Sequence, residues 1–106
     1  AGGITNAVAA VRKNISFTSK IEVETFSLAD VKEALSCKVD IIMLDNFEKN
    51  DIKQAIDLIN KRALVELSGN ISLDTLEEYC KFKPDIISVG RLTHSASALD
   101  LSLKIE

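Results

Sequence analysis

The stretch Ile21–Phe47, "IEVETFSLADVKEALSCKVDIIMLDNF", contains two short apolar runs with a helical segment between them. The runs Ile21–Thr25 and Asp40–Leu44 are rich in Ile and Val and mostly apolar on both faces, as buried parallel strands are. In Leu28–Ser36 the apolar residues have the spacing of an amphipathic helix, with Ser27 as the expected N-cap. A strand, a helix and a strand in this order predict a parallel pair with a right-handed crossover.

The same alternation continues along the chain. Further strands are predicted at Leu64–Leu67 and Asp85–Val89, and further helices at about Asn6–Lys13, Asp51–Arg62, Leu73–Lys81 and Ala96–Lys104. Asn50 and Ser72 are the expected N-caps of the third and fourth helices. The pattern predicts an α/β fold of four parallel βα units within one domain, residues 1–106. This order suits a small doubly wound domain or a partial (β/α) barrel, and in both folds ligands bind at the carboxyl ends of the strands.

Composition narrows the class of protein. The chain has 106 residues, 46% hydrophobic and 27% charged, with a net charge of -3 and a pI near 5.2. This balance argues against a nucleic-acid partner, and no apolar run approaches the roughly 18 residues of a membrane span. Cys37 and Cys80 have no metal-binding spacing and are expected to be free thiols in a reducing cytoplasm. The start at Ala1, without Met or a signal peptide, predicts a piece of a longer chain.

Carboxylates mark the first two strand ends. Glu22 and Glu24 share one face of the first strand because side chains alternate along a strand, and Asp45 follows the second. Two carboxylates on one rim suit magnesium or the hydroxyls of a sugar. The alternative is that all three are surface or turn residues. Glu66, on the third strand, would need a partner if it points inward.

The third and fourth strands run into loops typical of anion sites. Ser68-Gly69-Asn70 and the loop from Gly90 to His94 each lead towards a helix, and two such loops at the last strands often hold phosphate in (β/α)8 enzymes. Each loop alone is a weak signal. His94, the only histidine, is either a ligand contact or a surface residue, and Arg91 is expected to face solvent.

Taken together, these residues resemble a known family along nearly the whole chain. The segments "GGITNAVAAVR", "KIEVE", "DIIMLDNF", "ELSGNISLDTLEEY" and "DIISVGRLTHSASALDLSLKI" are similar to the carboxyl-terminal part of quinolinate phosphoribosyltransferase, also called nicotinate-nucleotide pyrophosphorylase (carboxylating). The resemblance implies an open α/β barrel and an enzyme of NAD biosynthesis. That enzyme joins quinolinate to phosphoribosyl pyrophosphate with magnesium and releases nicotinate mononucleotide, pyrophosphate and carbon dioxide.

The resemblance also implies roles for the acids at the first two strand ends. Glu24 and Asp45 would be the catalytic carboxylates, which hold the ribose hydroxyls and magnesium, directly or through water. The family works in the cytoplasm as a homodimer or a larger homo-oligomer, so the same is expected of the full chain here. The role of Glu22 stays open.

For the later loops, the resemblance implies substrate binding. Ser68, Gly69 and Asn70 match the loop that holds the 5-phosphate, Gly90 matches a second phosphate loop, and His94 falls nearby. The family usually has a second glycine at the position of Asn70, and a small or apolar residue where this chain has Arg91. The family's basic residues for the quinolinate carboxylates lie upstream of these 106 residues, so the chain alone is expected to be inactive.

Three alternatives stay open on the residues alone: a non-catalytic interaction module, for which the polar strand ends are the main difficulty, and two other classes. A receiver-type signalling domain would also have an acid after an apolar strand, but it needs an acidic pair after its first strand and a lysine after its last. Another phosphate-binding barrel enzyme would share the two loops. A half-barrel would also leave two open edges and an uncovered apolar face, which predicts aggregation or pairing.

Overall fold

A computed structural model describes residues 3–16, 18–89 and 102–104, the last three by their backbone. Helices and strands alternate through most of this region, as the sequence predicts. The helices are α1 (Gly3–Arg12), α2 (Leu28–Ser36), α3 (Lys49–Ile59) and α4 (Leu76–Cys80), and the strands are β1 (Glu22–Thr25), β2 (Ile41–Asp45), β3 (Leu64–Ser68), β4 (Ile86–Ser88) and β5 (Ser102–Lys104).

The strands of the described region form one sheet in the order β1-β2-β3-β4-β5. The first four are mutually parallel, so their carboxyl ends meet at one edge. Glu24 pairs with Met43, which pairs with Glu66, and Asp45 pairs with Ser68. The predicted partial α/β barrel with four parallel strands is confirmed.

The helices cover one face of this sheet. Alternate strand residues, such as Ile42, Leu44, Leu67 and Ile87, are buried in one apolar cluster with residues of the helices. The helical members are Val8, Val31, Ala34, Ile52, Ala55 and Ile59. Right-handed crossovers place the helices between neighbouring parallel strands on one side of the sheet, and no helix of the described residues lies on the opposite face.

Aspartates join the strands at their amino ends. Asp40 Oδ2 accepts a hydrogen bond from the N–H of Ile21 at 2.8 Å, and Asp85 Oδ2 accepts one from the N–H of Val65 at 2.8 Å. Each aspartate stands just before its own strand and binds the start of the preceding strand in the sheet. These bonds satisfy backbone donors beyond the last ladder bond.

The prediction for the end of the chain is wrong. Ser102–Lys104 form a strand antiparallel to β4, where the sequence analysis places the last turn of a helix. The remainder of that predicted helix, residues 96–101, lies outside the described residues. The physical reason is the open edge of β4, whose backbone groups the short strand pairs. The Leu-Ser-Leu-Lys-Ile sequence of residues 101–105 also alternates with a period of two.

Of the three N-caps that the sequence predicts, one is correct and two are wrong. Ser27 caps α2 by accepting a hydrogen bond from the N–H of Asp30. The N-cap of α3 is Glu48 rather than Asn50, without a side-chain hydrogen bond. The start of α4 is late because Thr75 closes a turn: its Oγ1 accepts from the N–H of Ser72 at 3.1 Å. Leu73, where the sequence predicts this helix to begin, lies before it and is 60% exposed.

The face opposite the described helices carries acids and serines among the apolar residues that the sequence analysis expects there. We call it the open face: it is made of the strand residues that alternate with the core positions. These residues are Glu22, Glu24, Ile41, Met43, Asp45, Leu64, Glu66, Ser68, Ile86 and Ser88.

Candidate functional site

The carboxyl ends of β2 and β3 bring two predicted site residues into contact. Asp45 and Ser68 are register partners, and Ser68 Oγ donates a hydrogen bond to Asp45 Oδ1 at 3.0 Å. Both side chains are half-buried. The hydroxyl uses one oxygen of Asp45 and leaves the other available to a ligand, since a carboxylate can accept several hydrogen bonds.

Glu24 lies on the same face, one strand away. Its register partner is Met43, so it is offset from Asp45 by two residues along the sheet. The spacing of strands and residues puts the two positions about 8 Å apart. Glu24 is exposed and forms no ion pair within the described residues. A separation of this size suits two carboxylates that flank a ligand and do not touch each other.

The loop after β3 has a backbone that only glycine adopts easily. Gly69 has φ +112°, and a Cβ there would lie 2.7 Å from the N atom of Asn46. Among the described residues, no backbone carbonyl accepts from the N–H of Gly69 or of Asn70. Such donors at the carboxyl end of a strand suit an anion. The contacts of Ser68 with Asp45 and of Gly69 with Asn46 place this predicted loop directly beside Asp45.

The acid within β3 is buried, and it has the partner that the sequence analysis required. Glu66 is only 7% exposed, and Ser88 Oγ donates to its Oε2 at 2.5 Å. Glu66 also shares a hydrogen bond with Glu22 on β1. Sequence reasoning missed Ser88 and this carboxyl pair, although the two-residue alternation of β1, β3 and β4 could have indicated a common face.

Proximity of the carboxyls raises the pKa of Glu22 from 4.5 to about 7. The main cause is the hydrogen bond with Glu66, followed by partial loss of solvent and by repulsion from Glu66 and Glu24. Because Glu22 is an exposed residue, burial raises its pKa less than the hydrogen bond does. With a pKa of about 7, Glu22 still carries its proton in about half of the molecules at neutral pH.

The remaining predicted site residues lie outside the described region. These are Gly90 and His94, together with Arg91, so the second phosphate loop stays a prediction. Asn70, by contrast, lies within the described residues. Its Nδ2 donates a hydrogen bond to Asn46 Oδ1 at 3.0 Å.

Glu24 and Asp45 are too few to hold magnesium by themselves, so a bound substrate or water would have to supply the other oxygen ligands. The described part of the chain contains no group of three or more His, Cys, Asp or Glu side chains arranged for a metal. Glu24 and Asp45 supply hard oxygen donors, and magnesium commonly uses one or two carboxylates together with substrate phosphates and water. The donor set therefore suits a metal that arrives with a phosphorylated substrate.

Concavities at the opposite end of the sheet have a structural explanation. Two hollows of about 690 and 590 Å³ lie at the amino ends of the strands, and cations including Arg12, Lys38 and Arg62 line them. Arg12 donates to the carbonyl of Lys38 at 3.0 Å, and Arg62 to that of Leu58 at 2.7 Å. Basic residues of this kind satisfy carbonyls at the carboxyl ends of helices. These hollows are remote from the strand-end acids.

The fold and the strand-end residues place the chain among the α/β-barrel proteins. Its sequence matches the family described as quinolinate phosphoribosyl transferase, C-terminal domain, over residues 1–104. The chain belongs to this family. Membership favours the interpretation based on the resemblance over a receiver domain or another phosphate-binding barrel.

Similar proteins agree on this assignment. The chain is 43% identical over 110 residues to a probable nicotinate-nucleotide pyrophosphorylase (carboxylating) of Methanocaldococcus jannaschii, covering 97% of this chain and 39% of the relative. It is 40% identical over 108 residues to the Homo sapiens nicotinate-nucleotide pyrophosphorylase (carboxylating), covering 99% and 36%. The crystal structure of NadC from Streptococcus pyogenes superimposes with a TM-score of 0.82 at 43% identity, over 97% of this chain and 35% of that one. The chain thus spans between one third and two fifths of these proteins.

Proposed function

We propose that the protein containing this chain transfers the phosphoribosyl group of phosphoribosyl pyrophosphate to quinolinate, with decarboxylation to nicotinate mononucleotide. The chain would supply the carboxyl-terminal part of the barrel. The observation that carries the proposal is the contact between Asp45 and Ser68. It joins an acid suited to ribose and magnesium to a loop suited to the 5-phosphate, as one sugar phosphate requires.

In the proposed reaction, the pyridine nitrogen of quinolinate forms a bond to the anomeric carbon as the bond to pyrophosphate breaks. The anomeric carbon becomes positively charged, and the carboxylates of Glu24 and Asp45 stabilise this charge and hold the ribose hydroxyls. The quaternised nitrogen then accepts the electron pair released when the adjacent carboxylate leaves as carbon dioxide. A proton takes the place of that carboxylate on the ring carbon.

Magnesium is the expected cofactor. When bound, it would neutralise charge on the departing pyrophosphate. Glu24 and Asp45 are the residues of this chain that would hold it, directly or through water. The N–H groups of Gly69 and Asn70, and in the prediction also the loop of Gly90 and His94, would hold the 5-phosphate.

The setting of the whole protein is part of the same proposal. We expect a cytoplasmic homodimer or larger homo-oligomer whose partners are small-molecule substrates, with no nucleic acid and no membrane. No helix in the described residues is long and apolar enough to cross a membrane. The relatives' names refer to a nucleotide pyrophosphorylase, which supports small-molecule substrates.

The test measures nicotinate mononucleotide formed from quinolinate, phosphoribosyl pyrophosphate and magnesium by the full-length protein. Glu24→Gln and Asp45→Asn should each lower kcat/KM by about 100-fold, because each removes a charge that stabilises the transition state. Asp57→Asn, at an exposed position of α3, is the matched control and should leave kcat/KM unchanged. Absence of product with the unmodified protein would refute the proposed function, and full activity of both site variants would refute the assigned roles.

A further inference from the structure

The side chains of Asn46 and Asn70 connect the loops that follow β2 and β3. Asn70 Nδ2 donates to Asn46 Oδ1 at 3.0 Å, with both residues exposed. The functional assignment above uses neither side chain.

The backbones of the two loops are already in close contact. Asn46 has φ +58°, and its N–H donates to the carbonyl of Ser68 at 2.9 Å. This bond extends the pairing of β2 and β3 by one residue. The missing Cβ of Gly69 is what allows the approach, since a Cβ would lie 2.8 Å from Asn46 Cα. Asn tolerates the left-handed backbone region better than most residues.

Two side-chain bonds therefore flank this backbone contact. Ser68 binds Asp45 on the open face, and Asn70 binds Asn46 at the outer end of the loop. With one hydrogen bond on each side, the tight turn after β3 has little freedom to move relative to β2. The acid proposed to contact ribose and the loop proposed to contact phosphate are consequently held at a fixed separation.

We propose that Asn46 and Asn70 are positioning residues that fix the Ser68-Gly69-Asn70 loop against Asp45 for binding a pentose 5-phosphate. The identity of the ligand rests on the proposed function. Because this side-chain bond already restricts the loop, the loop loses less conformational entropy when an anion binds.

The test is a double-mutant cycle in the full-length protein, with ribose 5-phosphate as the probe in calorimetric titrations. Asn46→Gly keeps the left-handed backbone and removes the acceptor, and Asn70→Gly removes the donor. Each should weaken binding by about threefold to tenfold, the range for one neutral hydrogen bond. Because both variants lose the same bond, the double variant should bind no more weakly than the weaker single variant.

The matched control is Asn60→Gly. Asn60 also has a left-handed backbone, with φ +46°, but it ends α3. This variant should bind ribose 5-phosphate as the unmodified protein does, and all variants should keep the KM for quinolinate. Unchanged binding in either single variant, or losses that multiply in the double variant, would overturn the positioning proposal. Binding of ribose 5-phosphate without formation of nicotinate mononucleotide would refute the proposed function and leave the positioning role standing.

Discussion

At the scale of single residues, the carboxyl pair of Glu22 and Glu66 shows how neighbouring strands create chemistry that neither strand has alone. Glu66 is buried and held by Ser88, and Glu22 approaches it from β1. The hydrogen bond with Glu66 and the repulsion from its carboxylate favour the protonated form of Glu22 and raise its pKa to about 7. The pair therefore gives the open face less negative charge near neutral pH than its sequence indicates.

This pair predicts a pH dependence. The pKa of Glu22 is about 7 in the folded chain, against an ordinary value of 4.5, so proton binding favours the folded state. The contribution to the free energy of unfolding is fully present below pH 4.5 and is lost as the pH rises through about 7. A titration of the Glu22 carboxyl carbon by NMR in the 106-residue chain should have its midpoint near 7.

A variant isolates the cause of that shift. Glu66→Gln removes the neighbouring acid, and the Glu22 midpoint should then fall towards 4.5. Asp57→Asn, far from the pair on α3, should leave the midpoint near its original value. A midpoint that does not move with Glu66→Gln would show that Glu66 is not the main cause.

At the scale of secondary-structure elements, the aspartates before β2 and β4 fix the alignment of neighbouring strands. Asp40 and Asp85 make the same bond to the preceding strand of the sheet, at the edge opposite the candidate site. Parallel strands depend on such anchors because their connections are long helices rather than tight turns. The aspartate anchors therefore lie at the amino-terminal edge, and the candidate site lies at the carboxyl edge.

Removal of one anchor should destabilise the sheet. Asp85→Ala would leave the N–H of Val65 without its acceptor, and Val65 is 6% exposed. Loss of a hydrogen bond to a buried backbone donor costs about 1 to 3 kcal/mol, which urea unfolding of the chain would measure. The exposed control Asp57→Ala should change the unfolding free energy by less than about 0.5 kcal/mol. Equal midpoints for Asp85→Ala and the unmodified chain would contradict this role.

The elements also show how far local pattern reaches. Ser27 caps α2 as predicted, because the cap is a local contact in which its side chain accepts from the N–H of Asp30. Asn50 and Ser72 do not cap, because the exits from β2 and β3 decide where the next helices begin. After β2 the chain makes a left-handed turn at Asn46. After β3 it makes a turn that Thr75 closes, and this turn includes residues that the sequence pattern assigns to the helix.

At the scale of the whole molecule, the described residues place a helix-covered apolar core on one face of the sheet and the candidate site on the other. The core unites all four parallel strands with the helices, while β5 pairs the edge of β4. The site residues at the carboxyl edge are acids, hydroxyls and backbone donors. The cations Arg12, Lys38 and Arg62 line the hollows at the opposite end.

This distribution predicts that the 106-residue chain has no activity by itself. Quinolinate carries two carboxylates, and a binding site for them needs cations that the described carboxyl edge does not provide. Incubation with quinolinate, phosphoribosyl pyrophosphate and magnesium should give no nicotinate mononucleotide, whereas the full-length protein should form it. Circular dichroism of the chain would verify its helix content. Clear product formation by the folded chain would contradict the prediction.

The sequence by itself determines the order of the elements through β4 and the parallel sheet. It also determines the positions of Glu24, Asp45 and the Ser68-Gly69-Asn70 loop at the carboxyl edge. Apolar periodicity sets the elements, and parallel pairing brings the ends of all strands to one edge. Contacts between distant residues depend on the folded chain: the Glu22–Glu66 pair, the Asn46–Asn70 bond and the antiparallel β5. Each arises from strand register or from an open sheet edge, and local sequence does not encode which residues such packing makes neighbours.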